Sequence, residues 1–412
     1  MTAEAAVEQV ARTSYGRLVA YLASASGGDL AGAEDALGDA LLAALRTWPA
    51  QGVPDRPETW LLTAARRRLV DASRRRDVAR RAEPDVAMLL EEQAEPVATS
   101  PVPDKRLELM FACASPVVPE GMRSPLMLQA VLGVDAVRMA SAFLVPPTTL
   151  GQRLVRTKAT VRAAGIAFTL PTTAELPARL ADVLGAVYAA YGTGWEDPAG
   201  LDPGRAGLTA EALRLAEVLR ELLPEEPEAL GLLALLLHTD ARAGARRDAD
   251  GAFVPLDQQD VQLWARASMS RAEDLLRRAL ALGQPGPYQL MAAIASVHNR
   301  RALTGRTDWP AVARLYEGLV ALAPSVGAHV AQAAAVRHVD GPRVALALLD
   351  ALPDTAVRDY QPAWVLRAHC LQELDDTAAA AASGRRAVGL TEDPAVRRHL
   401  QAVLDGFDRP PV

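Results

Sequence analysis

The chain has 412 residues, half of them hydrophobic, and carries 44 Lys and Arg against 50 Asp and Glu, a formal net charge of -6. That length predicts two or three domains, the apolar content excludes a disordered polymer, and the charge sum gives no overall sign of nucleic-acid binding. Two cysteines, Cys113 and Cys370, exclude a disulfide framework and predict a reducing, cytoplasmic setting, while an acidic start and apolar runs shorter than the roughly 20 residues of a membrane span predict neither export nor a membrane role.

Apolar residues recur at helical spacing, and Ala and Leu far outnumber Ile, Thr and aromatics, so the predicted fold class is all-α throughout. A first block, residues 1–82, reads as three helical stretches broken at 27–29 and at 48–54, with Asp29 as an N-cap. Its last stretch holds Arg66, Arg67 and Arg68, then Arg74, Arg75 and Arg76, then Arg80 and Arg81. The two triplets lie about two helical turns apart, so much of one face is cationic and suited to bidentate pairing with phosphate. The competing reading of such a run is a solvated face. Residues 83–103 change to proline, acidic and small residues and read as a linker.

Residues 104–170 form a second small block. A short helix near 133–140, a turn ending at Pro146 and a helix started by Pro147 and Thr148 give the layout of a helix-turn-helix. Its exposed positions present Thr148, Thr149, Gln152, Arg153 and Arg156 to a major groove. Two packed helices with a polar surface would also produce this pattern. Residues 1–170 hold 20 basic and 19 acidic side chains, whereas residues 171–412 hold 24 and 31.

The remainder, 171–412, is predicted to be one long helical region. Helical stretches that end in a Leu-containing turn and a proline recur at 282–285, 322–324, 352–353 and 390–394, with the prolines 39, 29 and 41 residues apart. These spacings lie near the 34-residue tetratricopeptide period, and an irregular helical bundle is the alternative. No metal-ligand spacing, no Gly-rich phosphate loop and no i, i+4 histidine pair is present, so no catalytic residue, metal or cofactor is predicted. If this region has a pocket, the place to look is near His238, Asp240, Arg242, Asp260 and Trp264, where charge sits beside an aromatic in apolar surroundings.

The stretch Ala33-Glu34-Asp35-Ala36-Leu37, the run ending in Trp48, the pair Trp60-Leu61 and the two arginine triplets resemble region 2 of the extracytoplasmic-function sigma factors. Residues 104–165 resemble region 4 of the same family. Residues 52–57, and Phe143 to Pro146 ahead of Gln152-Arg153-Leu154, resemble a subgroup with a long tetratricopeptide-like extension, which matches 171–412. The resemblance implies a promoter-specific initiation subunit that binds bacterial RNA polymerase core and promoter DNA. It places the polymerase contact on Glu34, Asp35, Gly38 and Leu41, and gives the extension a regulatory role, with its net acidity suited to contact the two small domains. The family usually carries Gln and an aromatic where this chain has Gly38 and Leu41, and Glu where it has Arg138. Those departures support a second reading, a sigma-like protein repurposed as a small-molecule-binding or catalytic module.

Overall fold

The computed structural model describes residues 2–80, 104–140, 145–166, 168–195, 208–391 and 393–407; the side chains of 72–80, 132, 138, 177–178, 193–194, 208 and 407 fall outside that description. The expected linker at 83–103 therefore lies outside the described residues, as do Arg81 and Phe143. Among the described residues the protein is all-α, with one isolated antiparallel bridge between Arg247 and Phe253. The chain divides into two compact units, residues 1–215 and 216–412.

In the first unit, α1 (Ala3–Ala25) starts from Thr2, whose hydroxyl accepts the Ala5 N–H at 3.2 Å. Gly27 and Gly28 both adopt positive φ, which turns the chain sharply into α2 (Leu30–Gln51). Asp29 caps α2 by accepting the Gly32 N–H at 3.0 Å, as its position before an apolar run predicts. The expected break at Trp48 is not found there: α2 runs through Pro49 and ends at Gln51, and Gly52 with φ 84° closes it. Trp48 holds that last turn in place, because it is buried and meets Trp60 of α3 (Pro57–Arg80) edge to face at 5.5 Å. Leu18, Leu22, Leu37, Leu61 and Leu62, all almost fully buried, form the core of the three helices. Each such side chain is worth about 1.5–3 kcal/mol of burial.

The same unit contains α4 (Arg106–Cys113), α5 (Glu120–Leu132), α6 (Ala136–Ala140), α7 (Pro147–Ala163), α8 (Leu176–Trp195) and the first half of α9 (Leu208–Leu222). Helix α1 packs on α5 so closely that a methyl at Gly16 would overlap the Val131 carbonyl oxygen. Arg106, 1% exposed, is held by both carboxylate oxygens of Asp104 at 3.0 and 2.8 Å and by Glu211 of α9. Arg123 of α5 pairs with Asp182 of α8 at 2.8 Å.

The second unit is a succession of helices packed mainly on their chain neighbours: α10 (Pro227–Asp240), α11 (Arg266–Ala281), α12 (Pro287–Asn299), α13 (Arg301–Thr304), α14 (Trp309–Leu322), α15 (Val326–Val339), α16 (Pro342–Asp350), α17 (Asp354–Val357), α18 (Gln361–Glu373), α19 (Thr377–Gly389) and α20 (Pro394–Phe407). Helices α11, α14, α16 and α19 end two to five residues before Pro285, Pro324, Pro353 and Pro394. Helix α10 is buried almost all round, and Gly231 lets it approach the Gln289 backbone of α12.

Candidate polymerase and nucleic-acid interface

Helix α2 buries Ala33, Ala36, Leu37, Ala40 and Ala44, a stripe at three- and four-residue intervals, and turns Asp35, Asp39, Leu42 and Leu45 outward. The four residues expected to meet polymerase differ in state. Asp35 is exposed and Leu41 is half-buried. Glu34 is engaged from across the unit: its two carboxylate oxygens accept from Nζ of Lys158 on α7 at 2.9 and 2.7 Å. Beneath it, burial and then the Glu34 and Asp35 charges push the Tyr15 phenol up to about 12.

At Gly38 an added Cβ would meet nothing within 4 Å, so this position is bare rather than constrained. Gly38→Ala is expected to stabilise the protein by about 0.5–1 kcal/mol through backbone entropy alone. Urea denaturation checks this, and a loss of stability would show that the helix needs glycine there.

Of the arginines on α3, Arg66 is drawn inward, donating to the Tyr21 hydroxyl at 3.0 Å with its guanidinium 5.2 Å from the ring centroid. Arg68 pairs with Asp39 at 2.6 Å and Arg67 is exposed. Both line a cleft of about 710 Å³ between α2 and α3, together with Asp35, Trp60 and Asp71. The backbone of α3 continues through Arg74, Arg75 and Arg76, whose side chains lie outside the described ones.

Helix α7 starts with Pro147 at its first turn and buries Leu150, Leu154, Thr157 and Val161. That spacing leaves Thr148, Gln152, Arg153 and Arg156 exposed on the other side, with Thr149 half-buried at the edge. Helix α6 before it has five residues, and the Arg138 side chain is not among those described. At the far end of α7, Arg162 approaches the capping Asp29 at 3.6 Å, and Phe168 lies against Gly28. The first and second blocks are therefore in direct contact within the unit.

In the second unit the five residues singled out in the extension take separate roles. His238 is fully buried; Asn299 donates to its carbonyl at 2.9 Å and to its Nδ1 at 3.2 Å, and Glu273 lies 3.7 Å from its Nε2. Burial holds its pKa down to about 4, the Glu273 charge opposing and Arg242 assisting. Burial raises the Asp240 carboxyl. Asp260 caps a short 3-10 turn by accepting the Gln262 N–H at 2.9 Å, and Trp264 is buried beneath the Arg301 guanidinium at 5.2 Å. None of the five lines the cavity of about 330 Å³ into which His298, His338, His369 and His399 open. That cluster escapes motif reading because the four imidazoles stand on four helices, and their recurrence every 30 to 40 residues is the only sequence signal. Cys113, buried, has its thiol pushed up to about 12 and is chemically quiet.

Comparison with known proteins places these features. Residues 12–78, from within α1 nearly to the end of α3, match the family described as Sigma-70 region 2. Residues 179–280 match a family of unknown function, DUF6596. An uncharacterized protein of Rhizobium meliloti (strain 1021) is 35% identical over 378 residues, covering 90% of this chain and 89% of that protein. No solved structure matches the chain. The chain therefore carries a Sigma-70 region 2 segment at residues 12–78 and belongs to one family with the uncharacterized Rhizobium meliloti protein, to which it aligns along nearly its whole length.

Proposed function

We propose that the protein is an extracytoplasmic-function sigma factor, a polymerase subunit that selects promoters in the cytoplasm, with 171–412 as a regulatory extension. A sigma-70 region 2 implies interaction with RNA polymerase core. In this reading 1–82 docks on polymerase through the outward face of α2, the arginines of α3 hold the melted strand, 83–103 links, and 104–170 reads the upstream element as a helix-turn-helix. The observation that carries the DNA-reading role is the row of exposed Thr148, Gln152, Arg153 and Arg156 on α7, opposite a fully buried apolar stripe.

The Glu34–Lys158 pair bears on how docking proceeds. Glu34 meets a partner only after α7 leaves α2, so the free chain keeps part of its docking helix covered. Such a half-buried pair is worth on the order of 1 kcal/mol, small enough for polymerase contacts to displace. The Arg123–Asp182 pair, joining α5 to the first helix of the extension, offers a route by which the extension affects the DNA-reading block.

Replacing Arg153 by Ala is expected to cost about 1–3 kcal/mol at one base of the preferred upstream element and little at others. Binding measured across a library of single-base variants tests this, and a loss spread evenly over all sequences would make Arg153 a phosphate contact. The second reading, a sigma-like chain turned to small-molecule binding, is favoured by one observation: Gly38 leaves the exposed face of the docking helix without a side chain.

A further inference from the structure

Four of the six histidines converge on one cavity of about 330 Å³ in the second unit, within the size range of small-molecule sites. His298 comes from the end of α12, His338 from the end of α15, His369 from α18 and His399 from α20. Two guanidiniums stand among them. Arg301 is fixed by the carbonyls of Leu256 and Gln259, each at 2.9 Å, and by that of Asp257. Arg337 pairs with Glu373 at 2.7 Å and points its other nitrogen at His338 Nε2, 3.4 Å away. A guanidinium only donates, so Nε2 of His338 accepts and the proton of the neutral ring resides on Nδ1.

The rings are also held in place. His338 stacks on Trp309 at 3.9 Å and 12°, and His298 meets the same indole edge to face at 5.5 Å. Among the described residues no three His, Cys, Asp or Glu side chains stand close enough together to hold a metal ion. The four imidazoles line a space of about 330 Å³ and do not form a compact set of ligands. Its lining is rich in donors, with two guanidiniums, four imidazoles and the Thr307 hydroxyl, against one lining carboxylate, Asp257, which is exposed. Leu256 and Val403 add apolar wall.

From this arrangement we propose that the cavity binds a small organic carboxylate, the acid group lying among Arg337, His338 and His369 and the apolar body against Leu256 and Val403. The local field agrees with the geometry. Burial lowers the His369 pKa first, and the Arg337 charge is the next largest influence on the ring, ahead of the opposing Glu373 and Asp257 charges each taken singly. Burial and then Arg242 and Arg301 hold His298 down to about 4, so at neutral pH its ring is a neutral hydrogen-bonding group.

The test uses the full chain with its histidine ring resonances followed by NMR during titration with benzoate, with uncharged isosteric benzamide and with inorganic phosphate. The expected result is saturable movement of the His298, His338, His369 and His399 signals with benzoate. Benzamide should bind at least about tenfold more weakly, the loss expected when a charge-assisted hydrogen bond is removed. Arg337→Gln should weaken benzoate by a similar factor, and because the benzoate–benzamide contrast is read on the unaltered chain, the outcome does not depend on that variant folding. Absence of saturable benzoate binding, equal binding of benzamide, or phosphate binding as tight as benzoate would each overturn the proposal.

Discussion

Gly16→Ala is expected to destabilise the first unit by about 3 kcal/mol or more, a large share of the roughly 5–15 kcal/mol that a domain has. A Cβ at this position falls on the Val131 carbonyl oxygen and 2.8 Å from its carbonyl carbon, both backbone atoms in the last turn of α5. No rotamer change relieves such an overlap; α1 and α5 must move apart, and the contacts around Leu18 and Leu126 open with them. The same exchange at Gly38, where the new methyl meets nothing, carries the opposite sign. Urea or thermal denaturation of the two variants side by side separates close packing from helix propensity. A Gly16→Ala protein as stable as the parent would show that α1 and α5 do not touch in solution. That result would remove one of the contacts between the two blocks, leaving those of Glu34 with Lys158 and of Asp29 with Arg162.

Acidification is expected to destabilise the second unit before the pH reaches the range where ordinary carboxylates titrate. Folding holds His238 at about 4, against 6.5 for an unperturbed ring, because burial disfavours the charged form. The unfolded chain therefore binds the extra proton first. The contribution is complete above pH 6.5 and is lost as pH falls toward 4, amounting to about 3 kcal/mol for this one ring. His298, also held at about 4, adds in the same direction, with a smaller share because it is partly exposed. Asp240, raised by burial, acts in the opposite sense. Denaturant midpoints of the full chain measured on either side of pH 6 should fall with acidity, and His238→Gln should flatten that slope. A midpoint unchanged down to pH 5 would contradict a buried neutral His238.

Much of the fold was legible because it rests on local rules. Asp29 before an apolar run caps a helix, prolines follow helix ends in the extension, and Leu150, Leu154, Thr157 and Val161 are spaced to bury one side of α7 and expose Gln152, Arg153 and Arg156. Local rules misplaced the end of α2, because Trp48 is anchored by Trp60 across the core and holds the helix through Pro49. The parts of the site that sequence did not disclose depend on long-range partners. Glu34 and Lys158 are 124 residues apart, and nothing near either names the other. Arg66 reads as one member of a cationic run, yet a tyrosine 45 residues earlier draws it inward. The four histidines of the cavity obey no short motif because each comes from a separate helix. His238, chosen for its charged neighbours, is instead a buried structural ring.

The most direct test of the central claim is association of the full-length chain with bacterial RNA polymerase core at low ionic strength, where electrostatic contacts are least screened. The account predicts a stable complex that weakens with salt and tightens when Lys158→Ala frees Glu34. Failure of both the full-length chain and the Lys158→Ala variant to bind core under those conditions would contradict it.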